Sequence, residues 1–125
     1  LPQSIHQLGA YKVQGKEPNA ADKILADAQM LEQAGISLLI LECVPANLAK
    51  KISVLLKIPV IGIGAGMDCD GQVLVLYDML GISLGKRPRF SKNFMQETNS
   101  IEAAIIRYRD DVKNGLFPSN EHSYF

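Results

Sequence analysis

Apolar residues recur with a helical period in three segments of the chain. Asn19 is a candidate N-cap of the first segment, and Gly35 follows its end. Ser100 and Gly115 bound the third segment in the same way. We therefore predict three amphipathic helices, whose segments and apolar stripes are residues 19–34 (Ile24, Ala28, Leu31), a stretch from Pro45 (Leu48, Ile52, Leu55) and residues 100–114 (Ile101, Ile105, Tyr108, Val112).

Three short apolar runs alternate with these helices. They are residues 38–44 (LLILECV), 58–63 (IPVIGI) and 73–78 (VLVLYD). The first two are too short for helices of their own and are predicted to be buried strands. The periodicity of the third run is ambiguous, but its strand-forming composition favours a third strand. The polar tail PSNEHSYF is expected at the surface.

This order of elements predicts an α/β fold with parallel strands joined by crossovers. Two architectures satisfy it, a doubly wound sheet and a (β/α)₈ barrel. A barrel normally needs ~250 residues, and this chain has 125. The chain is therefore one domain at most.

The composition excludes two classes of function. Thirteen basic residues balance thirteen acidic ones, so a nucleic-acid-binding surface is not indicated. The longest uncharged apolar stretch, residues 58–67, is far shorter than the ~20 residues of a membrane-spanning helix. Cys43 and Cys69 lack metal-binding spacing, which predicts a reduced, intracellular protein.

Glu42 is the one charged residue in the run 38–44. Strand side chains alternate, so Glu42 shares a face with Leu38 and Ile40 and lies last on it. In a barrel that face leads to the active-site mouth, where a partly desolvated carboxylate suits a general base. The alternative is that Glu42 caps the strand end or pairs with a lysine such as Lys12. A charge in an apolar strand is costly unless used or paired, which favours the functional interpretation.

The glycine-rich stretch GIGAGMDCDG, residues 62–71, does not fit a dinucleotide fingerprint, because Met67 occupies the place of the third glycine. It is either a ligand or phosphate site made of backbone amides or a tight turn that needs small residues. Asp68 and Asp70 form only a weak metal pattern, and a solvated loop is favoured. Cys69 has no nearby histidine and is disfavoured as a nucleophile.

Two further groups of polar residues are candidates. His6 and His122 are isolated in the sequence and are predicted to be surface or hydrogen-bonding residues. Tyr11, Lys12 and Gln14 belong to the polar connection AYKVQGKEPN, which is either a mobile lid or a plain loop.

Five stretches along nearly the whole chain resemble one enzyme family. They are LPQSIHQLGAYKVQGK, LLILECVP, IPVIGIGAGMDCDGQVLVLYDMLGI, FSKNF and EHSYF, in that order. Together they are similar to the C-terminal half of the ketopantoate hydroxymethyltransferases (3-methyl-2-oxobutanoate hydroxymethyltransferases). The resemblance implies the C-terminal part of a (β/α)₈ TIM barrel of the phosphoenolpyruvate/pyruvate type. Residues 1–125 would then be a single partial domain that lacks the N-terminal half and contributes the last three strands.

The resemblance also implies a reaction in pantothenate biosynthesis. A hydroxymethyl group passes from 5,10-methylenetetrahydrofolate to 3-methyl-2-oxobutanoate and gives ketopantoate (2-dehydropantoate). Glu42 matches the family's proton acceptor. The family's Mg²⁺ ligands lie on earlier strands, so no metal ligand is expected in this chain. Tyr77 departs from the family at a position often held by histidine, and its effect stays open.

The resemblance further implies a cytoplasmic homo-oligomer, decameric in the family, without nucleic-acid or membrane partners. Two alternatives remain. One is a catalytically silent half-barrel that associates with itself or with a complementary half. The other is a lyase of the related phosphoenolpyruvate-type barrels or a phosphate-binding barrel, which the match outside the glycine-rich stretch disfavours.

Overall fold

A computed structural model describes residues 5–8 and 12–125 of the chain. Within these residues helices and parallel strands are interspersed, which is typical of an α/β fold, although β3 follows β2 without an intervening helix. The α helices are α1 (Ile5–Leu8), α2 (Pro18–Gln33), α3 (Ala46–Leu55), α4 (Leu76–Leu80) and α5 (Ile101–Lys113). The strands are β1 (Leu39–Glu42), β2 (Val60–Ile63) and β3 (Gly71–Gln72), and 3₁₀ helices span Phe94–Glu97 and Asn120–His122.

The described strands form one parallel sheet in the order β1-β2-β3. Leu39 pairs with Val60 and Glu42 with Ile63, so β1 and β2 end side by side. Ile61 pairs with Gly71 at the start of β3. The predicted parallel α/β arrangement is confirmed, and the sheet is consistent with part of a (β/α)₈ barrel.

A first hydrophobic core lies between the sheet and helices α2 and α3. Leu41 and Val60 point into it from neighbouring strands, and Ile52 of α3 is fully buried there. Alternation along β1 and β2 sends every second side chain to this helix-covered face. The core is therefore the direct product of the apolar stripes and strands that the sequence predicts; its other buried members are Ala28, Val44, Leu48, Ala49, Leu56 and Ala65.

A second core forms where the chain folds back after β3. Phe94 is fully buried and stands edge-on to Tyr108 and Phe117, with ring centroids 5.5 and 5.4 Å away. Such edge-to-face pairs add to the burial of apolar area. The Tyr108 hydroxyl also donates to the carbonyl oxygen of Gln72 at 3.0 Å, which ties α5 to β3.

The prediction of a third strand at residues 73–78 is wrong. The third strand is the pair Gly71–Gln72, and α4 begins at Leu76. Only seven residues, 64–70, connect β2 to β3. The chain therefore pairs with β2 at Gly71–Gln72, before the predicted run, and then leaves the sheet. Leu74 of the predicted strand packs instead in the second core, together with Met79 of α4. A six-residue apolar run carries too little periodicity to separate these outcomes.

Helix and strand boundaries differ little from the predicted ones. Helix α2 begins one residue before Asn19, because Pro18 is well suited to a first helical position, and Glu17 rather than Asn19 is its N-cap residue. The Ser100 side chain caps α5 by accepting from the Ala103 amide at 3.1 Å, as predicted. The first two strands are shorter than predicted, because residues at the ends of the predicted runs lie outside the strands.

The C-terminal tail is not simply a polar surface segment. Ser123 is buried, and the carbonyl oxygen of Tyr124 accepts from the amide of Ala46 at 2.8 Å. Arg89 donates to the carbonyl oxygen of Glu121 at 3.0 Å and lies over the Tyr124 ring. The tail therefore packs against the first turn of α3. No helix of the described residues is long and apolar enough to cross a membrane.

Protonation of His122 is expected to destabilise the tail. Burial lowers the pKa of this imidazole below its ordinary value of ~6.5. The Glu121 carboxylate raises the pKa and the Lys92 ammonium lowers it, but burial is the largest effect. The unfolded chain therefore takes up the proton more readily than the folded chain. The contribution of the neutral imidazole to the free energy of unfolding is complete above about pH 6.5, and it is lost as the pH falls through the pKa of the folded state.

We expect the His122→Asn variant to show a smaller loss of stability than the parent between about pH 7 and pH 5. Asparagine keeps an acceptor near Nδ1, which lies 2.8 Å from the Ser119 hydroxyl, but does not titrate. Urea unfolding at both pH values measures the difference. An identical loss in parent and variant would contradict the prediction.

Candidate functional site

Glu42 lies at the carboxyl end of β1, at the edge where β2 also ends. Its strand partner is Ile63, and Gly64 follows directly on β2. Glu42 is half-buried, and it does take part in interactions within the structure. In parallel α/β proteins ligands bind at this edge of the sheet. The position of Glu42 at the strand end agrees with the sequence prediction.

The face of the sheet that carries Glu42 is apolar and open. Ile40, two residues before Glu42, is 56% exposed, and Leu38 is 46% exposed. On the opposite face Leu41 is only 5% exposed, under the helices. Glu42 therefore lies at the rim of an uncovered apolar surface, and a group that covers this surface would also reduce the access of water to the carboxylate.

The glycine-rich connection packs against the protein. Gly64 and Gly66 have φ values of 64° and 80°, a region that favours glycine. A Cβ atom on Gly66 would lie 2.5 Å from the Cβ atom of Ala46, so Gly66 lets the connection contact the first turn of α3. Gln72 donates to the Gly66 carbonyl oxygen at 2.9 Å. Of the two interpretations of this stretch, these contacts favour a tight turn that needs small residues.

Asp68 and Asp70 are engaged in structural contacts. Asp68 forms an exposed ion pair with Lys50 at 3.3 Å. The Asp70 carboxylate accepts from the Val60 amide at 2.8 Å and from the Ser53 hydroxyl at 3.3 Å. Asp70 thereby satisfies the first amide of β2, a role that the sequence pattern did not indicate.

The remaining candidates are dispersed. His6 is exposed on α1, and His122 contacts Ser119 in the tail. The backbone amide of Gln14 donates to the Cys43 carbonyl oxygen at 2.8 Å. This bond brings the connection before α2 next to Glu42. Lys12 is exposed, and Tyr11 lies outside the described residues. Of the described residues among these candidates, Gln14 is brought to the strand end by a backbone hydrogen bond.

The described residues do not offer a metal centre. Within residues 5–8 and 12–125 no group of three or more His, Cys, Asp or Glu residues is arranged to hold a metal ion. Asp68 and Asp70 are turned to Lys50 and to the Val60 amide. A Mg²⁺ ion does not fit the described residues.

A cavity of about 430 Å³ opens beside the turn that follows Glu42. Sequence reasoning missed it, because its walls come from three distant parts of the chain. Lys16 and Lys51 bring two ammonium groups to an otherwise largely apolar lining. The remaining lining residues are Gly15, Pro18, Ala21, Pro45, Asn47, Leu48 and Phe125. Such a lining is suited to an organic ligand with a carboxylate group.

The parallel sheet and the helices on one of its faces define an α/β protein, and they are consistent with part of a (β/α)₈ barrel. Residues 1–120 match the family model described as ketopantoate hydroxymethyltransferase. The chain belongs to this family.

Curated relatives carry the corresponding enzyme name. The chain is 59% identical over 123 residues to a 3-methyl-2-oxobutanoate hydroxymethyltransferase of Alkalilimnicola ehrlichii, covering 98% of this chain and 44% of the relative. It is 55% identical over 123 residues to the enzyme of that name from Alteromonas mediterranea, covering 98% of this chain and 47% of the relative. The chain therefore spans a little under half the length of these relatives.

Neither cysteine is expected to react as a nucleophile. Burial, and secondarily the Glu42 carboxylate, raises the pKa of the Cys43 thiol to about 11. Burial followed by the Asp70 and Asp68 carboxylates raises the pKa of Cys69 to about 11 as well. Only a small fraction of either thiol is therefore ionised near neutral pH.

We expect both native thiols to react with iodoacetamide much more slowly than free cysteine at about pH 8, and at an ordinary rate after unfolding in urea. Mass spectrometry of the alkylated peptides separates the two residues. Rapid native modification of Cys69 would contradict the assignment and revive a nucleophilic role.

Proposed function

We propose that the protein containing this chain transfers a hydroxymethyl group from 5,10-methylenetetrahydrofolate to 3-methyl-2-oxobutanoate, with Glu42 as the general base. The observation that carries the proposal is the position of Glu42. It lies at the carboxyl end of a parallel strand, beside the end of β2 and at the rim of an apolar face. Family membership and the names of the relatives support the choice of reaction.

In the proposed reaction the Glu42 carboxylate accepts the proton from C3 of the oxo-acid. The electron pair of the broken C–H bond moves into the enolate, which then forms a carbon–carbon bond with the methylene carbon of the folate. Both bonds from that carbon to the folate nitrogens break: the new carbon–carbon bond replaces one, and the hydroxyl oxygen supplied by water replaces the other. The two nitrogens take up the proton held by Glu42 and one proton of the water, and ketopantoate and tetrahydrofolate leave. A half-buried carboxylate at a fixed strand end suits the first step, because general-base catalysis requires a positioned acceptor.

The cavity beside the turn supports an acidic cosubstrate. Lys16 and Lys51 lie at its wall, and Phe125 adds an aromatic surface. The glutamate portion of a folate carries carboxylates that pair with ammonium groups, while its aromatic portion packs on apolar walls. The proposal therefore places the folate tail near this cavity and the reacting carbon near Glu42.

Four finer expectations belong to the same proposal. The protein would act in the cytoplasm, in pantothenate biosynthesis, and as a homo-oligomer. Mg²⁺ would participate through ligands other than the described residues. The reaction as proposed for Glu42 involves the two substrates and water.

Replacing Glu42 by glutamine in the complete gene product is expected to slow deuterium exchange at C3 of 3-methyl-2-oxobutanoate by about 10²–10⁴-fold, because glutamine keeps the size of the side chain but cannot accept the proton. Proton NMR in deuterated buffer measures the exchange without folate. Glu102→Gln, an exposed carboxylate on α5, is the matched control and should exchange normally. Normal exchange in the Glu42→Gln variant would overturn the assignment.

A second candidate concerns the 125-residue chain by itself, as a catalytically silent unit that associates. The apolar side chains of Leu38, Ile40 and Val75 are each at least 46% exposed on or beside the sheet. β1 is also an edge strand among the described strands. An exposed edge next to exposed apolar residues is prone to pairing with another chain.

We expect the isolated chain to form oligomers or aggregates and to lack turnover. Sedimentation velocity gives its mass, and an assay with both substrates and Mg²⁺ gives its activity. Ile40→Lys, which places a charge on the open face, should shift the mass toward the monomer. A monodisperse monomer, or turnover without an added partner, would exclude this second candidate.

A further inference from the structure

Cys43, the residue directly after Glu42, has an unusual backbone conformation. Its φ is 54°, and among the residues that the structure describes it is the one non-glycine residue with a positive φ. A side chain in this left-handed region is disfavoured, because its Cβ atom approaches the neighbouring carbonyl oxygen. Such a conformation persists only where the surroundings enforce it, and it is concentrated at functional sites.

Contacts from two distant parts of the chain hold Cys43 in place. Its amide donates to the Ile63 carbonyl oxygen at 2.9 Å and thereby extends the pairing of β1 with β2. Its carbonyl oxygen accepts from the Gln14 amide at 2.8 Å. Its side chain is 5% exposed and packs in the second core with Phe90 and Phe94. Both backbone groups and the side chain of Cys43 are therefore engaged.

The residues after Cys43 are held as well. Residues 43–46, here termed the Cys43 turn, are all buried. Val44 points into the first core, whereas Cys43 points into the second. The Ala46 amide donates to the carbonyl oxygen of Tyr124 at 2.8 Å, so the C-terminal tail fixes the far end of the turn.

The conformation of Cys43 controls the direction of Glu42. The Cα–Cβ bond of Glu42 is set by the positions of its own nitrogen and carbonyl carbon, and that carbon belongs to the peptide shared with Cys43. A negative φ at Cys43 would require this peptide to rotate or the Cys43 turn to move. The turn is fixed in both cores, so the peptide at Glu42 would have to yield.

We propose that Cys43 is a positioning residue, whose left-handed backbone within the Cys43 turn aims the Glu42 carboxylate at the substrate. The inference depends on the proposed role of Glu42 as the base. It assigns the effect to the backbone conformation and the fit of the side chain, with no chemical role for the thiol. A displacement of about 1 Å at a reacting group can reduce a rate about 100-fold. A small displacement of the Cys43 turn is therefore expected to lower the reaction rate strongly.

The test compares two substitutions of Cys43 in the complete gene product. Cys43→Ser keeps the shape of the side chain and the accessible φ, and it removes the thiol. Cys43→Val is β-branched and disfavours a positive φ more strongly. We expect Cys43→Val to lower kcat and the C3 exchange rate about 100-fold with little change in either KM, whereas Cys43→Ser keeps values close to those of the parent.

Three results would overturn the inference. They are a folded Cys43→Val variant with normal kcat, an equal loss in both variants, and a loss confined to KM. Thermal unfolding of each variant shows the folded fraction to which kcat is normalised. If Cys43→Val does not fold, a variant that lacks Tyr124 and Phe125 decides, because it loses the carbonyl acceptor of the Ala46 amide and keeps Cys43. A reduced exchange rate then supports the inference, and a normal rate overturns it.

The Glu42→Gln variant separates the proposed role of Glu42 as the base from the proposed role of Cys43 as a positioning residue. Normal exchange in Glu42→Gln defeats the base assignment whatever the Cys43 variants do. Lost exchange in Glu42→Gln together with normal exchange in Cys43→Val leaves the base assignment standing and defeats the positioning role.

Discussion

The parallel pairing of β1 with β2 is the constraint on which the site depends. Parallel strands end at the same edge, so the pairing of Glu42 with Ile63 places the carboxylate beside the start of the glycine-rich connection. The Cys43 amide adds one more bond of the same ladder, to the Ile63 carbonyl oxygen. The burial of Leu41 and Val60 under α2 and α3 stabilises this register, because a shift by one residue would turn both side chains to the opposite face.

The connection from β2 to β3 also fixes the start of α3 relative to the sheet. Parallel strands normally need a crossover of a dozen or more residues, and here residues 64–70 suffice. Such a short path requires the left-handed glycines Gly64 and Gly66 and contact of Gly66 with Ala46. Ala46 also receives the tail through Tyr124. The end of β2, the beginning of α3 and the C-terminus therefore meet at the last residue of the Cys43 turn.

The predictable and unpredictable parts of this fold differ in their physical basis. The apolar stripes of α2, α3 and α5 repeat over ten or more residues, and local signals such as Asn19 and Ser100 placed the helix boundaries to within a residue or two. The run 73–78 was misassigned because six apolar residues fit a strand or a short helix equally. Strand alternation correctly placed Glu42 at the end of its face.

The missed features rest on backbone groups, which the sequence does not distinguish. Tyr124 and Glu121 hold the tail through their carbonyl oxygens, and every residue has one. The left-handed Cys43 likewise has no signal of the kind that a glycine would give. The bond of Asp70 to the Val60 amide was missed for a related reason, because the two residues are ten positions apart and the acceptor's partner is again a backbone group.

The open apolar face links the two proposed properties of the chain. A carboxylate becomes a stronger base as water is removed from it, and Glu42 lies at the rim of a face on which Ile40 is 56% exposed. A group that covers Ile40 and Leu38 would therefore also reduce the access of water to Glu42. The apolar area proposed to favour association of the isolated chain is thus the area whose burial would suit the proposed base. Under these two proposals assembly and catalysis are not competing properties, because covering the same surface would serve both.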